Sequence, residues 1–379
     1  MKTRIALARV VVVIGTALLI GATSSAATQC PEYVGAFSWD VGAEALDVAA
    51  FGPYLFALSP TGLFVAMPRE PLPWQTFGEI EFSGVPVGYS VRGFLLRWPY
   101  AYVDFRFSHQ MDRRKILVVD VSHPWSPAEV GWMDFPEGFE SFEAYRDHLY
   151  VWQESWLRIF NVSDPSSPVE VGAMECPAFQ VIDGFGFSGG NRIDVDGSWS
   201  TRISLFDLSN PALPVEMGSC DVTDFLFDEV IDVSRGRAYV YGFGLVENGV
   251  EEEVLVLDVS EPSSLALIDS GALPLDTDVG YFWPVAIRGE IAFATGDYWQ
   301  HTYGFFYVLD ISDISSPTAI GVVETSRGLG DKASVADGFV YIASPSQGVD
   351  VFDVRGCPTF PSHLHSGTLG ERGDFTAGE

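Results

Sequence analysis

Two pairs of closely spaced aspartates are the residues of this chain best suited to bind a metal ion. Asp194 and Asp196 are separated by one residue and precede Gly197, and Asp276 and Asp278 have the same spacing. Carboxylate oxygens are preferred calcium ligands, but the further acids and the closing glutamate of an EF-hand loop are missing from both stretches. Calcium is therefore the only metal that these acids suggest. No residue is assigned to a metal site, and no cofactor is predicted.

Aromatic side chains accompany these acids. Rings can stack on the faces of sugars, and the neighbouring carboxylates can bind a cation or a basic peptide. The alternative is that the acids keep surface loops hydrated while the rings pack inside the protein. The candidate ligand-binding residues are Asp194, Asp196, Trp199, Asp276, Asp278, Tyr281, Trp283, Trp299 and Tyr303.

The sequence contains no recognisable catalytic motif. None of the six histidines lies in a His-Glu-x-x-His arrangement, and neither a Gly-x-Ser-x-Gly elbow nor a phosphate-binding glycine loop occurs. No catalytic residue is therefore predicted. A hydrolase or lyase that gathers its carboxylates from distant parts of the chain is compatible with this pattern and remains the alternative.

The charge and the N-terminal segment restrict the partners and the location. The formal net charge is −30, which disfavours nucleic-acid binding because the surface repels phosphate backbones. Residues 1–27 have a basic start, an apolar run and a small-residue end, the pattern of a cleaved signal peptide. No later apolar run has the roughly 20 residues needed to span a bilayer. We therefore expect an exported protein without a membrane span.

A phrase of fifteen residues recurs along the chain. The copies LVVDVSHPWSPAEVG (117–131), RIFNVSDPSSPVEVG (158–172) and SLFDLSNPALPVEMG (204–218) are followed by LVLDVSEPSSLALID (255–269) and YVLDISDISSPTAIG (307–321). We call the acidic or amide residue after the apolar run the anchor. The anchors are Asp120, Asn161, Asp207, Asp258, Asp310, Asp353 and, in a degenerate first copy, Ala66. Their intervals of 41 to 54 residues match one four-stranded propeller blade.

Each unit contains the signals of four strands, which we label A to D. Strands A and B flank a tight turn such as Asp337-Gly338, a strong hairpin signal between two alternating runs. Strand C ends at the anchor, whose side chain can cap backbone N–H groups of the following turn. In five units strand D begins at a proline seven residues after the anchor, where no ladder donor is needed. The anchors are therefore expected to cap turns rather than to form a ring of metal ligands.

The anchored phrase resembles the LVIVD repeat, found in exported bacterial and archaeal proteins whose units resemble β-propeller blades. The resemblance implies an all-β, seven-bladed β-propeller and no particular chemistry. It covers residues 28–358, which we expect to form a single domain. Residues 359–379 are polar and without a strand pattern, and we expect a disordered tail.

The last unit is expected to be completed by the N-terminus. After Asp353 the chain has no Val-Gly strand, whereas Cys30-Pro31-Glu32-Tyr33-Val34-Gly35 copies the start of strand D in other units. This segment would close the ring and leave no free sheet edge.

The same alignment predicts how the four cysteines are used. Cys30 and Cys357 would occupy slots roughly 5–7 Å apart, a separation that a disulfide tolerates, and export favours oxidation. Cys176 and Cys220 each follow a strand D in adjacent units, and a second disulfide between neighbouring D–A loops is possible. The spacing of the cysteines argues against a zinc site.

The D–A and B–C connections of such blades emerge on one face, and the non-repeating segments concentrate there. Long D–A segments include 132–140, 220–229 and 271–283, and long B–C segments fall in units two, four, five and six. The sequence therefore predicts a monomeric, non-catalytic binding module for a protein or glycan at or outside the cell surface. The alternative is a secreted hydrolase or lyase that uses carboxylates on the same face.

Overall fold

The chain folds into seven antiparallel sheets of four strands each. Among the residues described, no helix has the length and apolarity that a membrane span requires. The expected signal peptide and C-terminal tail lie outside the described residues. The computed structural model describes residues 30–40, 43–68, 74–108, 113–182, 184–194, 198–246, 249–273, 281–297, 304–325, 328–330 and 332–357.

Strands B and C consist largely of β-branched, leucine and aromatic residues and are buried at nearly every position, as in Tyr54–Leu58, Gly62–Ala66, Arg114–Asp120 and Gly348–Asp353, because both faces of a blade are covered by its neighbours. The outer strands D are largely exposed. The first fourteen strands in chain order are β1 (Glu32–Phe37), β2 (Asp47–Phe51), β3 (Tyr54–Leu58), β4 (Gly62–Ala66), β5 (Thr76–Glu81), β6 (Tyr89–Arg97), β7 (Tyr100–Phe107), β8 (Arg114–Asp120), β9 (Ala128–Phe135), β10 (Ser141–Tyr145), β11 (His148–Gln153), β12 (Trp156–Asn161), β13 (Val169–Glu175) and β14 (Gln180–Ile182).

The remaining strands follow the same plan, with one 3-10 helix in a C–D turn at Pro262–Ser264. They are β15 (Phe185–Ile193), β16 (Trp199–Asp207), β17 (Val215–Thr223), β18 (Phe225–Ser234), β19 (Arg237–Val246), β20 (Gly249–Asp258), β21 (Ala266–Ala272), β22 (Tyr281–Arg288), β23 (Ile291–Asp297), β24 (Gly304–Asp310), β25 (Thr318–Thr325), β26 (Ala333–Ala336), β27 (Phe339–Ser344) and β28 (Gly348–Asp353).

The seven sheets form a closed ring, which confirms the predicted propeller. Blade 1 is β2-β3-β4-β5, and blades 2 to 6 continue in groups of four up to β25. Blade 7 has the order β1-β28-β27-β26, so the N-terminal strand is strand D of the last blade. Every strand A contacts the strand A of both neighbouring blades, which makes these strands the inner lining of the ring.

The hydrophobic core is divided among the blade interfaces. The described residues contain one buried cluster at each of the seven interfaces, including one between blades 7 and 1. Between blades 6 and 7, for example, the rings of Phe306 and Phe352 lie 4.4 Å apart and both are inaccessible to solvent. Burying a side chain of this size contributes roughly 1.5–3 kcal/mol, so each interface stabilises its two blades substantially.

The anchors cap the C–D turns, as the sequence predicts. In six blades an anchor Oδ1 atom accepts a hydrogen bond from the backbone N–H two residues later, at 2.7 to 2.9 Å. The shared geometry explains why aspartate and asparagine are interchangeable at this position. The capping anchors are Asp120, Asn161, Asp207, Asp258, Asp310 and Asp353.

The glycine of each repeat is a contact point with the next blade. A Cβ atom built on Gly218 of blade 4 would lie 2.2 Å from the carbonyl oxygen of Pro262, in the C–D turn of blade 5. The same clash, at 1.6 to 2.6 Å, occurs for Gly78, Gly172, Gly271 and Gly321, whose neighbours are backbone oxygens of blades 2, 4, 6 and 7. At these five interfaces the backbone of the next blade therefore packs on the strand-D glycine, where a side chain would push the two backbones apart.

We expect Gly218→Ala to destabilise the protein by about 1–3 kcal/mol, because the new methyl group meets backbone atoms that cannot rotate away. Gly131→Ala is the matched control, since its Cβ would find its nearest neighbour at an ordinary 3.7 Å. That variant should be neutral or slightly more stable, as alanine restricts the unfolded chain. Urea unfolding measures the free energy of unfolding of both variants. Equal losses of stability in the two would contradict the proposed contact.

A disulfide joins the two ends of blade 7. Cys30 and Cys357 are bonded with a Cα–Cα distance of 4.8 Å and a sequence separation of 327. The bond therefore links strand D, from the N-terminus, to the segment after strand C of the same sheet. This is the covalent closure that the sequence predicts.

The second predicted disulfide is absent, because Cys176 and Cys220 are free thiols. Cys220 lies inside β17, opposite Ile203, and not in a loop. The Cys176 thiol is buried and donates a hydrogen bond to the Ser188 Oγ atom at 3.3 Å. The expected pairing was wrong because strand D of blade 4 continues past the point where a D–A loop was predicted.

Removing the closing disulfide should lower stability without opening the ring, since β1 stays paired to β28. We expect the double variant Cys30→Ser/Cys357→Ser to lose about 2–4 kcal/mol, the usual contribution of a long-loop disulfide. Cys220→Ser is the control and should change little. A reductant should lower the urea midpoint of the wild type and of Cys220→Ser but not that of the double variant, and an unchanged wild-type midpoint after verified reduction would contradict this role.

Candidate functional site

Several segments predicted as loops are strand extensions instead. In blade 5, β19 and β20 extend the B–C hairpin so far that only residues 247–248 separate them. Between blades 4 and 5, β17 and β18 leave only Asp224, which has a φ of 55°, as the connection. The predicted D–A segment 220–229 is therefore a tight turn between two strands, so its acids other than Asp224 lie on strands.

Two of the predicted site residues lie together on the B–C hairpin of blade 4. Trp199 begins β16, opposite Ile193, and 39% of its surface is exposed. The Asp194 carboxylate is 3.2 Å from the Arg192 Nε atom, and Arg192 also contacts Asp221 at 3.3 Å. The hairpin therefore presents an exposed aromatic residue beside an ion-pair network in which Arg192 is the counter-charge of Asp194 and Asp221.

The remaining predicted site residues are not located by the structure. The backbone of β22 includes two of them, Tyr281 and Trp283, whose side chains lie outside the described part. Outside the described residues altogether are Asp196, Asp276, Asp278, Trp299 and Tyr303.

The inner strand of blade 5 contains a β-bulge held in place by blade 4. The register of β18 against β19 shifts between Phe227 and Glu229, so Asp228 is the extra residue. The flanking N–H groups of Phe227 and Val230 donate to the Asn191 Oδ1 atom at 2.9 Å and the Gln180 Oε1 atom at 2.7 Å. Bulges re-aim side chains near functional sites, and here two amides of the neighbouring blade fix the bulge.

Acidic side chains of blades 3 and 5 approach one another at this bulge. Glu143, on the inner strand β10, is half-buried, and burial together with the nearby Glu229 carboxylate raises its pKa to about 8. Burial also raises the pKa of Asp228, while Lys332, just before β26 of blade 7, opposes that shift. A side chain that lines the interior of the ring keeps some solvent-accessible surface, but protein surrounds it on most sides. Asp228 and Glu143 therefore still lose hydration, which disfavours their charged forms.

A further carboxyl group lies behind the bulge. Burial raises the pKa of Glu252, on β20, to about 7, and its Oε2 atom is buried without a hydrogen-bond partner in the described structure. The phenol of Tyr241 has its pKa raised by burial and by the carboxylates of Glu252, Asp228 and Glu229. Blade 5 therefore concentrates negative charge near the inner strands.

We call Glu143, Asp228 and Glu229 the acidic sector. Uncharged carboxyl groups can donate a proton, and ionised ones can bind a cation, so the sector suits either proton transfer or the binding of a basic group. Within the described ranges, no group of three or more His, Cys, Asp or Glu side chains has an arrangement that could hold a metal ion.

Sequence reasoning selected none of these three acids, because Glu143 is far from the other two in the chain, although Asp228 and Glu229 lie in the predicted D–A segment 220–229. One signal was present: FLFDEVIDVS (225–234) places two acids in succession within an apolar run, which breaks strict alternation. A break of this kind is typical of a bulge. Glu143 gave no comparable signal, since its position simply follows the alternation of β10.

The opposite face has a small depression at the C–D turn of blade 2. Asp120, His123, Trp125, Ser126 and Ala128 line a volume of about 340 Å³. The Asp120 carboxylate is already engaged as the turn cap, and the His123 ring packs edge-on against Trp125. These contacts explain the depression as part of the turn.

Seven four-stranded blades in a ring define the class of protein as a β-propeller. The family model described as the LVIVD repeat matches five segments, which fall in blades 2 to 6. The chain thus contains five copies of the LVIVD repeat. The two unmatched blades are those with the degenerate anchor Ala66 and with a strand D supplied by the N-terminus. The matched residues are 111–134, 142–175, 203–222, 249–271 and 303–325.

Solved structures share the fold at low sequence identity. The N-terminal domain of Nup159 has a TM-score of 0.52 and 11% identity, over 88% of this chain and 97% of that one. A chain in the structure of S. cerevisiae Dbp5 bound to Nup159, Gle1, IP6 and ADP has a TM-score of 0.50 and 10% identity, over 87% and 96%. Comparison with curated proteins gives no match. The structural likeness therefore concerns the fold alone.

The raised pKa of Glu143 makes stability depend on pH. The native carboxyl keeps its proton up to about pH 8, whereas the unfolded one loses it near 4.5, so this group's contribution falls as pH rises between those values. The glutamine of Glu143→Gln cannot ionise. At pH 8.5 the free energy of unfolding of this variant should therefore exceed that of the wild type by on the order of 1–3 kcal/mol, allowing for partial exposure.

Urea unfolding at pH 4.5, 6.5 and 8.5 measures this difference. Glu79→Gln, on the outer strand β5 of blade 1, is the control and should track the wild type at all three values. A Glu143→Gln difference that is constant across pH would show that the native carboxyl titrates normally.

Proposed function

We propose that this chain is an exported, non-catalytic binding module whose ligand site is the acidic sector at the inner strands, on the face that carries the D–A and B–C connections. The ligand group would be a basic side chain of a protein partner at or outside the cell surface. The observation that carries the proposal is the bulge of β18, which two amides of blade 4 hold and after which the Glu229 carboxylate acts on Glu143.

Electrostatics support a basic ligand group. The chain has a formal net charge of −30, and such a field attracts cationic partners and accelerates their association. Within that field the acidic sector differs from the surface acids, because burial raises the pKa of Glu143 and Asp228. A guanidinium or ammonium group of the ligand would donate hydrogen bonds to these carboxylates in place of those that water no longer supplies.

Binding of a cation should release protons. A Glu143 carboxyl that is protonated below about pH 8 must ionise to pair with a cation, so affinity should rise with pH through this range. Surface carboxylates are already ionised above about pH 5 and give no such dependence. The pH dependence therefore separates the acidic sector from non-specific attraction to an acidic surface.

A tri-arginine peptide provides the test, with isothermal titration calorimetry at pH 6 and pH 8.5. We expect binding to be at least about fivefold tighter at pH 8.5, a difference of about 1 kcal/mol. The variant Glu143→Gln/Asp228→Asn should lose this gain. The control Glu79→Gln/Glu261→Gln removes the same charge from the outer strand β5 and from a C–D turn, and should keep it.

Affinity that is independent of pH, or equal losses in the two double variants, would overturn the proposal in favour of diffuse attraction. The variants should first be compared by urea unfolding, so that a loss of fold is not mistaken for a loss of binding.

A secreted hydrolase or lyase is the second candidate, and one observation favours it. Glu143 and Glu252, with pKa values raised to about 8 and about 7, would be partly protonated near neutral pH, as a general acid must be. Acid–base catalysis predicts turnover of a glycan or peptide that Glu143→Gln abolishes. Release of new reducing ends or amines in the wild type alone would establish this candidate instead.

A further inference from the structure

Three arginines of blade 2 surround one buried carboxylate. Arg106 on β7 lies directly opposite Arg114 on β8, and Arg92 is the extra residue of a bulge in β6 between the partners of Phe105 and Asp104. The whole chain has 21 Lys and Arg against 51 Asp and Glu. Three neighbouring arginines on adjacent strands are therefore a local reversal of the charge of the protein.

The cluster contains more positive than negative charge. The Arg114 Nη1 atom is 2.8 Å from the Asp104 Oδ2 atom. The guanidinium groups of the other two arginines share this one carboxylate as their counter-charge. In the part of the chain that the structure describes, Arg92 and Arg106 have no ion pair or side-chain hydrogen bond. Like charges directly opposite each other on two strands are destabilising, so the Arg106–Arg114 pair opposes folding unless something neutralises it.

Two buried atoms of the cluster lack partners. Asp104 is only 6% exposed, and its Oδ1 atom has no hydrogen-bond partner among the described residues. The Arg114 Nε atom is likewise buried without a hydrogen-bond partner among the described residues. The Arg114 guanidinium group lies over the Phe139 ring, 4.7 Å from its centroid. An unsatisfied buried polar group costs roughly 1–3 kcal/mol, so these two atoms lower the stability of the folded protein.

Burial and charge act in opposite directions on Asp104. Burial raises its pKa to about 6, although Arg114, Arg92 and Arg106 all lower it. Near this pH Asp104 can carry a proton, and the cluster then has three cations without a counter-ion. The carboxyl can also donate that proton to an acceptor, which the unpartnered Oδ1 atom leaves room for.

We propose that Arg92, Arg106 and Arg114 form a binding site for a carboxylate group of a ligand, with Asp104 as the buried floor that positions Arg114. Arg92 is exposed and lies on the inner strand, so the site is reached from the ring interior. A guanidinium fork matches a planar carboxylate in two parallel hydrogen bonds. Polyanions such as nucleic acids are disfavoured by the overall charge, whereas one carboxylate meets little of that repulsion.

The site shares no residue with the acidic sector, since its arginines lie on blade 2 and the acids on blades 3 and 5. Its sign of charge is also opposite, so a basic ligand group would not bind here. The proposal therefore goes beyond the binding function proposed above, and different probes and variants test the two.

Ligand-observed NMR at pH 6.5 in low salt tests the site with two carboxylates, D-glucuronate as an acidic sugar and N-acetyl-L-glutamate as an acidic amino acid. We expect saturable binding of at least one of them, and no binding of D-glucose. Arg92→Gln and Arg106→Gln should each weaken binding at least about tenfold. Whichever probe binds more tightly identifies the source of the carboxylate.

Arg235→Gln is the matched control, since Arg235 is an exposed arginine in the A–B turn of blade 5, at the other end of the strands. It should leave binding unchanged. Binding of neither probe, equal weakening in the control, or inorganic sulfate binding as tightly as the carboxylates would each overturn the proposal. Arg92 is exposed, so its variant keeps the test valid even if Arg106→Gln fails to fold.

Discussion

The contact between each C–D turn and the strand-D glycine of the preceding blade is the constraint on which the ring depends. At five of these contacts the turn's backbone oxygen occupies the space where a Cβ atom would be. Each copy of the repeat supplies a turn to one neighbour and a glycine to the other. Turn and glycine must therefore recur together at a fixed spacing, which is why the chain repeats a whole phrase and not isolated apolar positions.

Features that depend on local rules could be predicted from the sequence. The anchors cap turns because Asp or Asn at that position bonds the second following N–H whatever surrounds it. The split blade and its disulfide followed from the same local alignment, since Cys30-Pro31 matches the start of strand D and contacts Gly321 of blade 6 as the other turns contact their glycines. A single repeated phrase thus carried most of the architecture.

The predictions that depended on loops were less successful, for a physical reason. Polar residues in 220–229 were taken to end a strand, but pairing continues around Asp224, and this also places Cys220 inside β17. The acidic sector required bulges and contacts between blades, such as the bond from Val230 to Gln180 fifty residues earlier. Register shifts and partners from another blade leave no fixed pattern along the chain, so only the structure brings Glu143 towards Asp228 and Glu229.

Two of the departures from the repeat lie on the inner strands, and we infer that function lies there too. Bulges interrupt β6 and β18, and each presents a charged residue of opposite sign, Arg92 and Asp228. Hydrogen–deuterium exchange of the full chain with and without a saturating basic ligand tests this most directly. We expect new protection in β10, β18 and the segment before β26. Protection confined to the outer strands β5, β9 and β13 would contradict an inner-strand site and place the function at the rim.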